Sequence, residues 1–222
     1  RGNVINPNEI VAAYGADTLR LYIMFIGDFE KVAPWSDNAV KGCKRFLDKV
    51  WKLSETKLSG SETAFSEANE TEIHKTIKKV GEDIEALKFN TAIAAMMSLT
   101  NTFIDNKASR ADIKVLLTLL SPFAPHIAEE LWEQQGFEGK AASTCWPEYD
   151  ESKTVDDKKE LAVQVNGKLR ATMIMPVDSD DESCVAEALK QQNIQKHVEG
   201  QKIIRTIVVK NKLVNIIVKP VV

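Results

Sequence analysis

The stretch LAVQVNGKLR, residues 161–170, alternates apolar and polar residues around an Asn-Gly pair. This period of two predicts two β-strands joined by a tight turn. Before Leu161, apolar residues recur at helical spacing for more than a hundred residues. The sequence therefore predicts a helical part that ends before this stretch and a smaller part with β-strands that begins with it.

The charge changes at the same place. Residues 1–160 carry 20 Lys/Arg against 26 Asp/Glu, whereas residues 161–222 carry nine against six. A small basic module on an acidic body favours a polyanionic ligand. The positive excess is small, so composition alone leaves other ligands open.

Global features favour a cytoplasmic protein. No uncharged apolar run approaches the roughly 18 residues that span a bilayer, and the N-terminus resembles neither a signal nor a transit peptide. The chain starts at Arg1 without an initiator Met, so we expect a fragment or a processed product. Cys43, Cys145 and Cys184 are far apart, which indicates neither a zinc site nor a disulfide. We expect three inert, buried thiols.

Capping signals divide the helical part. Asn6 before Pro7 starts a short helix. A second helix, about 17–26, is apolar all round, which predicts burial on every side. Ser36 caps a long helix to about Leu58, and residues 58–69 read as a mobile loop.

The second half of this part continues the pattern. A seam with coiled-coil spacing, which would lie on one face of a helix, comprises Ile73, Ile77, Val80, Ile84 and Leu87. Asn90 can cap the next helix, residues 109–112 resemble a capping box, and Pro125 starts a last helix that ends at Gly136. Helices with short links predict an antiparallel bundle, here over 31–147, with an acidic linker at 148–160.

The last 62 residues predict a ββαββ module. A two-residue turn at Asn166-Gly167 would pair Val165 with Lys168 and mix apolar and charged residues on one face. We therefore expect a bulged three-residue turn, which pairs Val165 with Leu169. A capping box at 179–182 opens a helix to about 192, and strands follow at about 203–209 and 213–219.

Catalytic chemistry is scarce in this sequence. His74 lies on a charged helix and is expected to be solvated. His126 has Glu129 and Glu130 a turn away but no nucleophile or set of metal ligands at matching spacing. There is no glycine-rich phosphate loop. The sequence does not read as a complete enzyme and predicts no metal site.

Four motifs resemble the class I aminoacyl-tRNA synthetases. RGNVI at 1–5 with YGADTLR at 14–20 resembles the segment after the KMSKS loop, so residues 1–30 would be its helical remnant. SPFAPHIAEELW at 121–132 resembles the last helix of the anticodon-binding domain. WSD at 35–37 is closest to the leucyl branch, and VQVNGKLR at 163–170 is similar to the C-terminal domain of bacterial-type leucyl-tRNA synthetases.

This resemblance implies leucine–tRNA ligase function. The intact enzyme would activate leucine with ATP and Mg and transfer it to tRNA(Leu), with its catalytic and editing sites upstream of Arg1. The present chain would be its C-terminal portion, inactive alone, with no cofactor of its own. Its implied partners are tRNA(Leu) and the upstream catalytic domain, and it would act as a monomer away from membranes.

Binding of tRNA requires cations for phosphates and a polar or flat surface for exposed nucleotides. In the small module the candidates are Lys168, Arg170, Arg205, Lys210 and Lys212. In the bundle, the candidates that could line the tRNA stem are Lys41, Lys44, Arg45 and Lys49. Such side chains on helices are usually only solvated, and Arg45 has the alternative of a structural ion pair.

Two other classes of function stay open at this level. The chain could be an autonomous RNA-binding protein that uses these domains without a ligase. It could also be a protein-interaction scaffold whose basic tail is incidental. Salt-sensitive binding of tRNA is expected for a synthetase portion and for an autonomous RNA-binding protein, but not for a scaffold.

Overall fold

The computed structural model describes residues 4–27, 34–155 and 158–220, and contacts divide the chain into two compact units, Arg1–Thr154 and Val155–Val222. The first unit is helical and the second contains the sheet. This confirms the predicted order of a helical part and a small α+β module. The predicted boundary near residue 30 and the first three residues of the RGNVI motif lie outside the described residues.

The first unit is a bundle built around one apolar core, which includes Val50, Ile77, Phe103, Leu116 and Trp132. Its helices, among the described residues, are α1 (Pro7–Tyr14), α2 (Ala16–Phe25), α3 (Asp37–Ser54), α4 (Glu67–Glu85), α5 (Phe89–Asn106), α6 (Arg110–Leu120) and α7 (Pro125–Gln135).

Helix starts follow the local sequence closely. The side chains of Asn6 and Ser36 accept backbone hydrogen bonds at the starts of α1 and α3, and Ser109 forms the predicted capping box. The predicted cap at Asn90 is wrong, because α5 already begins at Phe89 without a side-chain cap. Caps are predicted well where a polar side chain reaches a free N–H two or three residues ahead.

Two predictions of burial in this unit are wrong. Ile23 on α2 is 50% exposed, because neighbouring elements cover only the side of α2 that carries Leu21 and Tyr22. Leu87 is 67% exposed, because α4 ends at Glu85 and Leu87 adopts a left-handed conformation beyond it. The seam of α4 therefore ends before Leu87.

The stretch after the last long helix lies against α4. A short 3₁₀ helix, Glu151–Thr154, packs on α4, and the Asp150 backbone N–H donates a 3.1 Å hydrogen bond to His74 Nδ1. His74 is buried, so its predicted solvation is wrong. Burial, followed by the charge of Lys153, lowers the pKa of His74 and favours the neutral ring that accepts this bond. The first half of the predicted 148–160 linker thus has tertiary contacts.

The second unit is a four-stranded sheet with helices on one face. Its strands lie in the order β2-β1-β4-β3, and β1 pairs with β4 in parallel. The elements are β1 (Lys158–Val165), β2 (Lys168–Pro176), α8 (Asp181–Lys190), α9 (Gln192–Val198), β3 (Gln201–Val209) and β4 (Leu213–Pro220). The predicted single helix is followed at once by a second one. Asp180, rather than Ser179, caps α8 by accepting from Ser183 N–H at 2.8 Å.

The β1–β2 hairpin differs from the prediction in register. Asn166 and Gly167 form a two-residue turn with φ of 49° and 76°, and Val165 pairs with Lys168. The expected three-residue turn is therefore wrong. The two positive φ values of this turn match the right-handed twist of a hairpin. The β-bulge lies further along β2, where Arg170 is the extra residue opposite the step from Val163 to Gln164. This bulge restores the alternation that the tight turn would otherwise disturb.

Two further properties bear on function. Among the described residues, none of the helices is long and apolar enough to cross a membrane. Cys43 and Cys184 are buried free thiols, but Cys145 is exposed. The predicted burial of all three thiols is therefore wrong for Cys145, which lies outside the packed helices.

Candidate nucleic-acid interface

Helix α3 presents a basic side to solvent because its other side is held in the core. Ser36 Oγ accepts from the Ala39 N–H, and the Ser36 N–H donates to Tyr22 Oη at 2.9 Å. The Trp35 ring packs edge-on against the same Tyr22 ring at 4.6 Å. These contacts fix the start of α3 and therefore the direction of its exposed side.

Four cations lie along this exposed side at spacings of four, four and three residues, and we call them the α3 basic row: Lys41, Arg45, Lys49 and Lys52. Residues three or four apart are helix neighbours, and at 1.5 Å rise per residue the row spans about 16 Å. Lys52 was not among the sequence candidates. Its spacing from Lys49 would have revealed it.

The predicted bundle cations do not all behave alike. Lys44 lies off the row and forms an ion pair with Asp48 one turn later. Lys49 Nζ donates to Asn101 Oδ1 on α5 at 2.7 Å. Arg45 forms no ion pair with any residue that the structure describes, so the alternative of a structural role for it gains no support.

A small groove between α3 and α5 accompanies the row. It has a volume of about 260 Å³ and is lined by Gly42, Arg45, Phe46, Lys49, Met97 and Asn101. A Cβ placed on Gly42 would meet nothing within 4 Å, so the backbone is open to close approach there. Two cations beside an amide and an open backbone can hold a phosphate or a ribose.

The tail cations form no single patch. Lys168 and Arg170 follow the Asn166-Gly167 turn at the end of β1, whereas Lys210 and Lys212 lie at the turn before β4. Because β1 and β4 are parallel, these turns are at opposite ends of the sheet. Lys210 also contacts Asp178 at 3.4 Å.

The face of the sheet away from α8 and α9 is open and partly apolar. Ile174 on this face is 69% exposed. Arg205 pairs with Ile217, and Ile217 alternates with the buried Ile216 and Val218, so Arg205 lies on this open face. Lys202 and Lys219 pair across the same face, which sequence reasoning missed because strand register was needed to see it.

His126, the histidine with two nearby glutamates in the sequence, lies beside Asp17. The described part of the chain holds no cluster of three or more His, Cys, Asp or Glu placed to bind a metal. His126 Nδ1 lies 2.7 Å from Asp17 Oδ1, while Asp17 Oδ2 accepts the Ile127 N–H at 2.7 Å. Asp17 therefore joins α2 to the start of α7, which is a structural role. The described site groups suit binding of a polyanion.

Comparison with known proteins agrees with this chemistry. The profile of the family described as "Anticodon-binding domain of tRNA ligase" matches residues 69–186, about half of the chain. The chain is 52% identical over 220 residues to a leucine–tRNA ligase of Alkaliphilus oremlandii and 47% identical over 225 residues to one of Chloroherpeton thalassium. Each match covers 99% of this chain but only 27% and 28% of those relatives.

A solved structure is similar along the same length. It is the crystal structure of a ternary complex of LeuRS, tRNA and LeuAMS from Agrobacterium radiobacter. The similarity has a TM-score of 0.70 with 30% sequence identity, and it covers 98% of this chain and 31% of that one. The chain thus spans less than a third of the length of these similar proteins.

Proposed function

This chain belongs to the family of anticodon-binding domains of tRNA ligases, and on that premise we propose that it is the tRNA-binding and tRNA-positioning portion of a leucyl-tRNA synthetase. Its binding partner is tRNA(Leu). The observation that carries the proposal is the match to leucine–tRNA ligases along 99% of the chain, through both units rather than through the helical unit alone.

The two units divide the binding of tRNA between them. The α3 basic row binds phosphates of a stem, because its cations recur along about 16 Å of one helix side without carrying sequence information. The second unit adds local interactions through the sequence candidates Lys168, Arg170, Arg205, Lys210 and Lys212. Its net charge is too small to drive binding alone, so it acts on a tRNA already held by the rest of the protein.

The parent protein carries the chemistry. The intact enzyme uses ATP with Mg to activate leucine and transfers it to tRNA(Leu), through catalytic residues that this chain does not contain. The domains we propose are a remnant at 1–30 and the bundle at 31–147, which share the first compact unit with residues 148–154, and a tRNA-binding module that begins with β1 at Lys158 rather than at residue 161. The chain alone is inactive and binds no cofactor, and the enzyme works as a cytoplasmic monomer.

A salt titration of tRNA(Leu) binding tests the interactions with phosphate. Removing one phosphate-binding cation should reduce the slope of log K against log salt by about 0.7–0.9. Replacing Arg45 and Lys49 by Gln should therefore make this slope shallower by about 1.5. The same change at the exposed Lys88 and Lys140 should leave the slope unaltered. The proposal would be contradicted, and the scaffold alternative favoured, if the chain bound no tRNA at low salt or if its affinity for tRNA did not change with salt concentration.

A second experiment tests the positioning role in the leucine–tRNA ligase that contains this chain. Deleting residues 161–222 should impair transfer of leucine to tRNA far more than ATP-dependent activation of leucine. Equal loss of both steps would show that the second unit only stabilises the enzyme.

A further inference from the structure

A groove with aromatic and acidic walls lies along α4, apart from the α3 basic row. Its volume is about 690 Å³, within the range of ligand sites in proteins, which is roughly 300–1,000 Å³. The apolar part of its wall is formed by Ile77, Ile84, Pro122, Trp146, Pro147 and Tyr149. Trp146 is 39% exposed and Tyr149 is 43% exposed, so both rings are accessible from the groove.

The groove exists because residues 146–154 lie against α4. A Cβ built on Gly81 would be 3.7 Å from Trp146 Nε1, so the indole ring rests on the helix at its glycine. Lys78 Nζ bonds Glu151 at 2.6 Å and lies 5.8 Å from the centre of the Tyr149 ring. These contacts hold both aromatic rings in place before any ligand arrives.

The charge of the groove is negative, because the described residues of its wall include three glutamates and one lysine. Glu82, Glu85 and Glu148 line it, and Lys78 on the same wall is close enough for its charge to interact with that of Glu82. The carboxylates of Glu85 and Glu148 form no ion pair or hydrogen bond with the residues that the structure describes. Lys78, the cation among the described residues of the wall, is already engaged by Glu151. The indole N–H of Trp146 likewise has no acceptor in the described part of the chain and remains available to a carbonyl group.

We propose that this groove binds an arginine-containing apolar peptide segment of a protein partner. A guanidinium group stacks on aromatic rings and bonds carboxylates in bidentate geometry, and it loses hydration more readily than an ammonium group. Apolar side chains beside the arginine fill the space between the isoleucines and prolines. RNA fits this groove poorly, because its phosphates would meet a wall of net negative charge. The groove therefore serves a partner other than tRNA.

Calorimetric titration of the whole 222-residue chain tests the proposal. The probe is an acetylated and amidated peptide of alternating leucine and arginine, and the matched control replaces each arginine by glutamine. We expect the arginine peptide to bind at least about tenfold more tightly than the control. The arginine adds at least one charge-assisted hydrogen bond to a carboxylate, and one such bond changes the affinity by roughly a factor of ten.

Variants place the binding at this groove. Trp146→Ala and the pair Glu82→Gln with Glu85→Gln should each weaken binding by about fivefold or more. Glu82 and Glu85 are exposed, so their replacement should leave the fold intact, and Glu138→Gln on another exposed loop should change nothing. Equal affinity for both peptides, insensitivity to these substitutions, or displacement of the peptide by tRNA would each overturn the proposal.

Discussion

Substitution of Asp112 tests how the helical unit is held together. Asp112 is fully buried at the start of α6. Its Oδ1 accepts the Ser66 N–H at 3.1 Å, and its Oδ2 accepts from Ser66 Oγ at 2.7 Å, Asn69 Nδ2 at 2.9 Å and the Ser109 N–H at 3.0 Å. One carboxylate thus joins the first turns of α4 and α6.

The geometry sets the expected cost of Asp112→Asn. The amide can keep its oxygen at the three donors near Oδ2, but its NH₂ group then faces the Ser66 N–H, and that bond is broken. Bonds to a charged acceptor contribute about 1.5–3 kcal/mol each, and neutral ones about 0.5–1.5 kcal/mol. One broken bond and three weakened ones, offset in part by relief of the buried charge, lower the free energy of unfolding by about 3 kcal/mol.

Tryptophan fluorescence during urea unfolding measures this change cleanly. All four tryptophans lie in the first unit, and residues 155–222 contain no Trp, Tyr or Phe, so the signal reports that unit alone. With a urea m-value of about 2 kcal/mol/M, a loss of about 3 kcal/mol moves the midpoint by about 1.5 M. Asp105→Asn, an exposed carboxylate on α5, is the matched control and should leave the midpoint unchanged.

The effect should also depend on pH. Burial by itself would raise the pKa of Asp112, but the hydrogen bonds from Asn69, Ser109 and Ser66 hold it below the ordinary value. Its stabilisation is therefore present above the unfolded pKa of about 3.9 and is lost as the pH falls through the lower folded value. A cost below about 0.5 kcal/mol for Asp112→Asn, or a cost that does not shrink in acid, would refute this account.

Three further outcomes follow from the structure. Since burial lowers the pKa of His74, the urea midpoint should fall as the pH drops below about 6.5, and His74→Gln should remove that dependence. A thiol reagent at neutral pH should label Cys145 alone in the native chain, because burial raises the pKa of Cys43 to about 11, and should label every thiol after unfolding. Asn166→Ala should destabilise the second unit by about 1–3 kcal/mol, measured by amide hydrogen exchange in β4, because two bonds to Val218 are removed.

The local sequence predicted helix starts and the hairpin position with little error. Ser36 and Ser109 bond N–H groups three residues ahead, so their effect needs no distant neighbour. Asn-Gly marks the turn because both residues accept positive φ. The α3 basic row was predicted only in part, because the sequence candidates included Lys41, Arg45 and Lys49 but also Lys44, which lies off the row, and omitted Lys52.

Burial and register depended on remote residues. His74 looked solvated among charged neighbours, yet the Asp150 backbone, 76 residues later, covers it. The Asn166 side chain accepts from the Val218 N–H at 3.0 Å, so it extends the β1–β4 pairing as well as forming the turn. The local pattern of apolar and polar residues could not reveal these contacts, because they join residues 76 and 52 positions apart.

The sequence by itself determined the two-part architecture, most of the helix caps, the position of the hairpin and, through motifs in order, the family of this protein. The tertiary structure alone decided which side of α2 stays exposed, where the hairpin bulges, how the tail cations separate and that residues 146–154 form a groove on α4. The division has a physical cause. Caps, turns and helical rows depend on atoms within about four residues, whereas burial, strand register and groove walls depend on which distant segments pack together.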